Sequence, residues 1–221
     1  MANNSSAEDV QNWILQKSGT FDNQAAQDAA STLQDWNNKG YMPEGVNAVD
    51  ASTALSRFCN GEGLFFPSGN WNLDTVAKAL GDDVQFFAFP GATSEDEPNV
   101  AANAGAFYGI PVNAKNRDAA AAFLDYTQSA EAQQIIVDNS GYLPKSSTLD
   151  LKANSALQQS MFDAYADVLT SGHTSDFINN ATAGMQSSGL IPNFQLLLDN
   201  SITPQEFTKN VQAQYDKEAK R

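Results

Sequence analysis

Few side chains here could break a bond. The sequence holds one imidazole, His173, and one thiol, Cys59. A Ser–His–Asp or Cys–His arrangement needs an imidazole base. The only candidate sits between Gly172 and Thr174 at a helix boundary, and no serine lies in a Gly-x-Ser-x-Gly turn. An exposed loop histidine with no catalytic role is expected. One Cys and one His also remove most metal sites and any disulfide within the chain, so neither a metal nor a cofactor is expected. There is no Gly-x-x-x-x-Gly-Lys-Ser/Thr loop, Gly61-Glu62-Gly63 lacks the third glycine of a dinucleotide fingerprint, and the EF-hand loop pattern is absent.

Carboxylates are plentiful, and a pair of them could hydrolyse a glycoside. The clusters Asp82-Asp83 and Glu95-Asp96-Glu97 sit in turns, where a solvated acidic loop is the ordinary reading. What remains is recognition by rings and amides. Trp71 follows Gly69-Asn70 at the end of an apolar run. An indole face complements the C–H face of a pyranose, and a neighbouring Asn can bond hydroxyls. The residue types alone leave Trp71 open between a stacking platform and a core plug, packing being the commoner fate of an aromatic. Trp36 lies on the apolar stripe of its helix and is expected in the core. Trp13, beside Ile14 and Leu15, could go either way.

Charge narrows the partners. There are 26 acidic and 12 basic residues, a net charge of −14, and a pI near 4.2. Nucleic acid needs clustered Lys and Arg and is excluded as a partner; an anionic membrane surface is disfavoured for the same reason. The chain has 221 residues, 42% of them hydrophobic, with mean hydropathy −0.39. That is enough for a buried core in one large domain or two small ones. Only 17% are charged, yet 21 are Asn, so amides carry as much of the polarity as charge does, as in many secreted proteins. No run reaches the roughly 18 apolar residues of a membrane span. The first nine residues, polar and without a basic start, are not expected to form a signal peptide. Cys59 is too deep for an N-terminal lipid anchor and reads as a buried thiol on an apolar helix face.

The elements that would position these groups are mostly helical. Asp22 is the expected N-cap of a helix whose stripe runs Ala26, Ala29, Ala30, Leu33, Trp36 and which Gly40 stops. Asp50 caps a second, with Ala54, Leu55 and Phe58 on one face. Asn72 is expected to cap a short helix over 73–80, closed by Gly81. Helices follow over 116–128 and 129–139. Beyond a loop at 141–144 the chain reads as all-helical, with stripes Leu157, Met161, Tyr165, Val168 and Phe177, Ala181, Met185. Thr203-Pro204-Gln205-Glu206 is a capping box with Pro at the first helical position. Three strands are expected, over 64–67, 84–89 and 106–112, with a long polar loop over 91–104. Their aromatics point to both faces, as in strands covered on both sides. Three strands make a thin sheet for this length; either others escape the pattern or they lie on a segment not in this chain.

Several motifs, in order, resemble one family. Phe58-Cys59-Asn60-Gly61-Glu62-Gly63 followed by Gly69-Asn70-Trp71 is similar to the "Phe, spacer, Gly-Lys-Ala-Ala-Met, then Gly-x-Trp" segment of extracellular solute-binding proteins. These are the sugar-binding components of ABC importers, the maltose-binding-protein-like class. Asp83 to Gly91 resembles the following strand and Pro-Gly, and Phe107 to Asn116 the crossover strand. Ala119 to Gln134 with Gly141-Tyr142-Leu143-Pro144 resembles the "Ser-x-Glu-Ala-Gln, Gly-x-Leu-Pro" stretch, and Thr203 to Phe207 the start of the final helix. Glu62 replaces the family's Lys, and Asn103-Ala104-Gly105 replaces its Gly-Gly. The resemblance runs from about residue 21 to the C-terminus and covers about the C-terminal half of the family.

The resemblance implies an α/β fold, periplasmic-binding-protein-like (type II) and incomplete, mostly helical with a few short strands. Residues 1–103 would be part of the second lobe, 104–150 a first-lobe crossover segment, and 151–221 C-terminal helices returning to the second lobe. Trp71 would be the sugar-stacking ring and Asn70 a hydroxyl partner; Asn103, Gly105, Phe107, Tyr108 and Tyr142 would border the cleft. The function implied is capture of a mono- or oligosaccharide without catalysis. Partners would be an ABC permease and the missing N-terminal half, and the parent would be extracytoplasmic, a cell-surface lipoprotein or periplasmic. A carboxylate-dependent glycoside hydrolase and a helical interaction module are the alternatives.

Overall fold

Helix starts follow hydrogen-bonded caps. In the computed structural model, which describes residues 5–91, 98–102, 108–140, 150–171 and 173–219 (backbone only for 169–171), Ser6 caps α1 (Ala7–Ile14) by accepting from the Asp9 amide. Val10, Trp13 and Ile14 recur at helical spacing on its buried face. This helix lies in a stretch whose polar start gave no element in the sequence, although Ser-x-x-Asp before an apolar run is a capping signal. Helix α2 (Gln24–Asn38) is capped by Asn23, not Asp22. The Asp22 carboxylate instead accepts from the Thr208 hydroxyl at 2.8 Å and the Gln27 amide at 3.2 Å. Gly40 ends α2 at φ +73°, a left-handed geometry that disfavours a side chain.

The chain divides into two compact units, each built from separated stretches. The first comprises Met1–Val49, Ala88–Ala104 and Val168–Arg221. Its core joins α1 and α2 to a π-helical turn (Met185–Leu190) and, from the C-terminal region, the helices labelled below α8 and α9. Trp13, 1% exposed, stacks on Tyr215 with centroids 4.6 Å apart, and packs on Phe21 at 5.2 Å. Its indole N–H donates to Gln212, which also accepts from the Phe21 amide. The Tyr215 hydroxyl donates to the Trp13 carbonyl. Trp13 is therefore core. Trp36, expected there, is half-buried, with its ring 6.1 Å from that of Phe89.

Amides do much of the joining. The final helices α8 (Ile191–Leu198) and α9 (Pro204–Glu218) follow the π-helical turn. Gln34 donates to the Leu197 carbonyl and Asn37 to the Leu198 carbonyl, satisfying the open end of α8. Asn38 and Asn200 exchange hydrogen bonds, as do Asn47 and Gln195. The last turn of α8 has no basic residue, so neutral amides hold carbonyls that Lys or Arg often hold. At α9 the expected capping box forms between Thr203 and Glu206. The stretch 172–190 is less helical than the sequence suggests, holding a two-residue strand, a 3-10 turn at Ile178–Asn180 and the π-helical turn.

The second unit comprises Asp50–Phe87 and Gly105–Asp167. It holds α3 (Ala51–Cys59), α4 (Leu73–Leu80), α5 (Arg117–Tyr126), α6 (Ala130–Ser140) and most of α7 (Ala156–Ser171). Leu73, Val76, Leu157 and Met161 form its buried cluster. Cys59 is only partly buried against that cluster. Gln158, fully buried, ties α7 to α6 by donating to the Val137 carbonyl while accepting from the Asn154 amide.

Among the described residues the expected strands do not form. Among the described residues the one ladder is a parallel pair, β1 (Val100–Ala101) with β2 (Thr174–Ser175), inside the first unit. Its β1 lies within the stretch expected to be a loop, and β2 within the region expected to be all-helical. His173, expected exposed, is half-buried, and its carbonyl extends the ladder by accepting from Val100. Residues 64–67 and 84–89 are outside any strand, as are 108–112; 106 and 107 lie outside the described residues. The physical reason is pairing: a strand exists only with a neighbour to bond. At 84–89 burial still alternates, with 84, 86 and 88 half-buried and 85, 87 and 89 exposed. Val84 and Phe86 pack on the second cluster, and the Phe86 amide donates to Ser160 of α7 instead of a strand.

Candidate functional site

The site expected around Trp71 begins with α3. Asp50 caps it by accepting from the Thr53 amide at 2.7 Å, and that bond, with those from Ser52, holds the Asp50 carboxyl below its ordinary pKa. Gly61 and Gly63, both at positive φ, turn the chain out of the helix. Phe66 then stacks on Phe58 of α3 at 5.3 Å, fixing the return path. A 3-10 turn, Asn70–Asn72, leads without a break into α4. Asn72 is part of that turn and makes no cap bond to α4; its amide donates to Ser68 at 2.9 Å and ties the base of the turn. Buried Leu73 and Val76 anchor the helix that follows.

This arrangement lifts Trp71 out of the core. Its ring is 54% exposed, so the core-plug alternative does not hold. Asn70, next to it on the turn, is half-buried, and among the described residues no group bonds its amide. Beneath the ring lies Gly69. A carbon added at Gly69 would stand 2.7 Å from Trp71 Cε3 and still closer to Cζ3 and Cη2. Charge is locally neutralised, since Asp74 in the first turn of α4 pairs with Lys78 at 2.6 Å. A half-open indole with a free amide beside it and no unpaired formal charge at the turn suits a neutral, hydroxylated ligand.

The other expected residues divide by whether they are described. Tyr108 belongs to the same unit as Asn70 and Trp71 and is exposed, outside any helix or strand. Asn103, Gly105, Phe107 and Tyr142 lie outside the described residues. An open groove of about 490 Å³ occurs in the first unit, lined by Asn37, Met42, Glu44, Asn47 and Asp199 among others; none of the expected ligand residues lines it. What sequence reasoning missed is Gly69, whose part depends on where a ring two residues away folds back.

Comparison with known proteins places this geometry in context. The family model for the bacterial extracellular solute-binding proteins matches residues 2–162. A solved structure described as a chitin oligosaccharide binding protein superposes with a TM-score of 0.75 at 17% sequence identity, covering 98% of this chain and 54% of that one. The chain thus spans about half the length of that structure and shares its fold, here mostly helical with few strands. No curated protein matches. With nearly three-quarters of its residues inside the family model, and with Gly69, Asn70 and Trp71 in that span, the chain belongs to the bacterial extracellular solute-binding protein family.

Proposed function

We propose that this chain is the C-terminal part of the carbohydrate-capture component of an ABC importer. One observation carries the reading: Trp71 stands half-exposed on a turn anchored by α4, with the Asn70 amide, unbonded among the described residues, beside it. A ring so placed stacks on the apolar face of a pyranose, while the amide bonds its hydroxyls. The family and the oligosaccharide-binding neighbour support it. Capture is not catalysis. The sugar would be held between two lobes, the chain crossing between them near residues 103 and 150, and would favour the closed form that docks on a permease. Tyr108 and the loop residues Asn103, Gly105, Phe107 and Tyr142 are the further candidates for cleft contacts. The parent would act outside the cytoplasm.

The reading also names a partner: the remaining half of the fold. In the second unit Leu64 and Phe65 are 89% and 74% exposed and Phe87 is 56% exposed. Phe65 and Phe87 meet edge to face at 6.2 Å, an apolar surface on segments patterned as strands. We place the missing strands and their helices against it. Titration calorimetry of the full-length parent with chito- and malto-oligosaccharides tests the function. Saturable binding that weakens about tenfold or more in Trp71→Ala is expected; no response to any sugar would overturn it.

A further inference from the structure

Gly69 stands out once its backbone is separated from its surroundings. Its φ of −132° and ψ of −177° are ordinary extended values that any residue adopts. The conformation therefore gives no reason for a glycine. The surroundings do: a β-carbon here would collide with Cζ3, Cη2 and Cε3 of Trp71. These are three consecutive atoms of the six-membered ring and are nearly equidistant from the added carbon, which places it over the face of the ring. An approach along the edge would single out one atom. The bond that carries hydrogen in glycine, and would carry Cβ in any other residue, points into the indole face.

We propose that Gly69 is the positioning residue of the Trp71 platform. Resting on the sugar-stacking reading above, this deepens it by stating what sets the ring's orientation. The Gly69 Cα–H fills one face of the six-membered ring, a weak but directional contact with the π cloud. With that face filled, a sugar stacking on the ring would have to approach from the side away from Gly69. Asn72, bonded to Ser68, closes the turn around this seat, and Leu73 fixes the helix that follows. Alanine at 69 keeps the backbone and evicts the ring. Eviction turns the platform away without unfolding α4, whose anchors Leu73 and Val76 lie in the separate buried cluster.

The test separates the seat from the sugar. In the ligand-free 221-residue chain, proton NMR reads the ring current: Gly69 Hα should lie upfield of an ordinary glycine by about half a part per million or more and return on Trp71→Leu. Gly69→Ala should move the Trp71 indole N–H resonance, identified by its loss in Trp71→Leu, while circular dichroism stays that of the parent. A Gly69 Hα unchanged by Trp71→Leu, or an indole resonance unmoved by Gly69→Ala, overturns the seat. In the full-length parent, with chitotriose as probe, Gly69→Ala should lose most of the roughly tenfold affinity lost in Trp71→Ala, and the double variant should lose no more than Trp71→Ala. Wild-type affinity in Gly69→Ala beside a weakened Trp71→Ala also overturns it. If Trp71→Ala binds as the parent does, the stacking reading fails, and the ring-current result still decides the seat.

Discussion

At the scale of single residues, backbone and side-chain demands sort the glycines. Gly40 serves a left-handed turn, whereas Gly184 serves an approach: a β-carbon there would meet the Glu218 carboxyl, with Cδ and Oε2 both at 3.0 Å. That carboxyl accepts from the Gly184 amide at 2.8 Å and from the Gln214 amide. The nearby Thr182 hydroxyl, with the bonds from the Gly184 amide and Gln214, holds its pKa below the ordinary value, as the Thr203 amide does for Glu206. A carboxylate with a depressed folded pKa adds stability that is complete above its unfolded value and is lost as pH falls through the folded one. Glu218→Gln should therefore lower the melting temperature at pH 7, with the gap to the parent closing below about pH 4. Gly184→Ala displaces the same carboxylate and should melt earlier at pH 7. A gap that stays constant down to pH 3 would remove Glu218 from the account. Trp71 was legible as an aromatic at a turn, and the resemblance made it a ligand residue. Its seat on Gly69 was not legible, because no spacing rule states which way a ring folds back.

At the scale of elements, legibility followed self-sufficiency. Helices bounded by Asp50 and by Thr203 were readable because cap, stripe and stop lie within one short stretch. The expected strands at 64–67 and 84–89 failed because a strand needs a bonded neighbour, which local sequence does not supply. Segment 84–89 keeps its strand-like alternation and borrows a side chain: Ser160 Oγ accepts from the Phe86 amide at 2.9 Å and donates to the Leu157 carbonyl. Ser160→Ala strips both bonds and should cost about 1–2 kcal/mol in denaturant unfolding. It should also speed hydrogen exchange at the Phe86 amide; unchanged exchange would show that another group holds the segment. In the first unit the joint between α2 and α8 is built from neutral amides. Asn37→Ala leaves the Leu198 carbonyl unmet and should cost about 1 kcal/mol. Because no formal charge is involved, the cost should be the same at 0.05 and 1 M salt, to within about 0.3 kcal/mol. A cost that shrinks with salt would place an ionic interaction at the joint.

For the whole molecule, the imbalance between its two units is the informative feature. The first gathers four helices, a π-helical turn and an aromatic core around Trp13. The second completely buries few apolar side chains, and α5 buries none of its own, leaving Phe123 and Tyr126 exposed. Leu64, Phe65 and Phe87 are exposed as well, and Phe65 and Phe87 meet in one apolar surface. Alone, the 221-residue chain should bind a hydrophobic dye and self-associate as concentration rises. Replacing Phe65 and Phe87 together by Ser should reduce both effects with little change in melting temperature, since neither side chain is buried. A monomer that ignores the dye would contradict the docking surface. The composition anticipated part of this: aromatics on both faces of the expected strands asked for cover on both sides.

The bond from the Tyr215 hydroxyl to the Trp13 carbonyl spans 202 residues of sequence. A ribosome makes α1 well before α9, so the aromatic stack that closes the first unit waits until the residues between them have been made. Until then Trp13, Phe21 and Met185 lack the Tyr215 and Phe207 rings that complete their packing. Loop-closure entropy makes such a distant contact slow to form. The nascent first unit therefore carries open apolar surface from the making of α1 until α9 emerges, and that fifteen-residue helix acts as the fastener that ends this exposure.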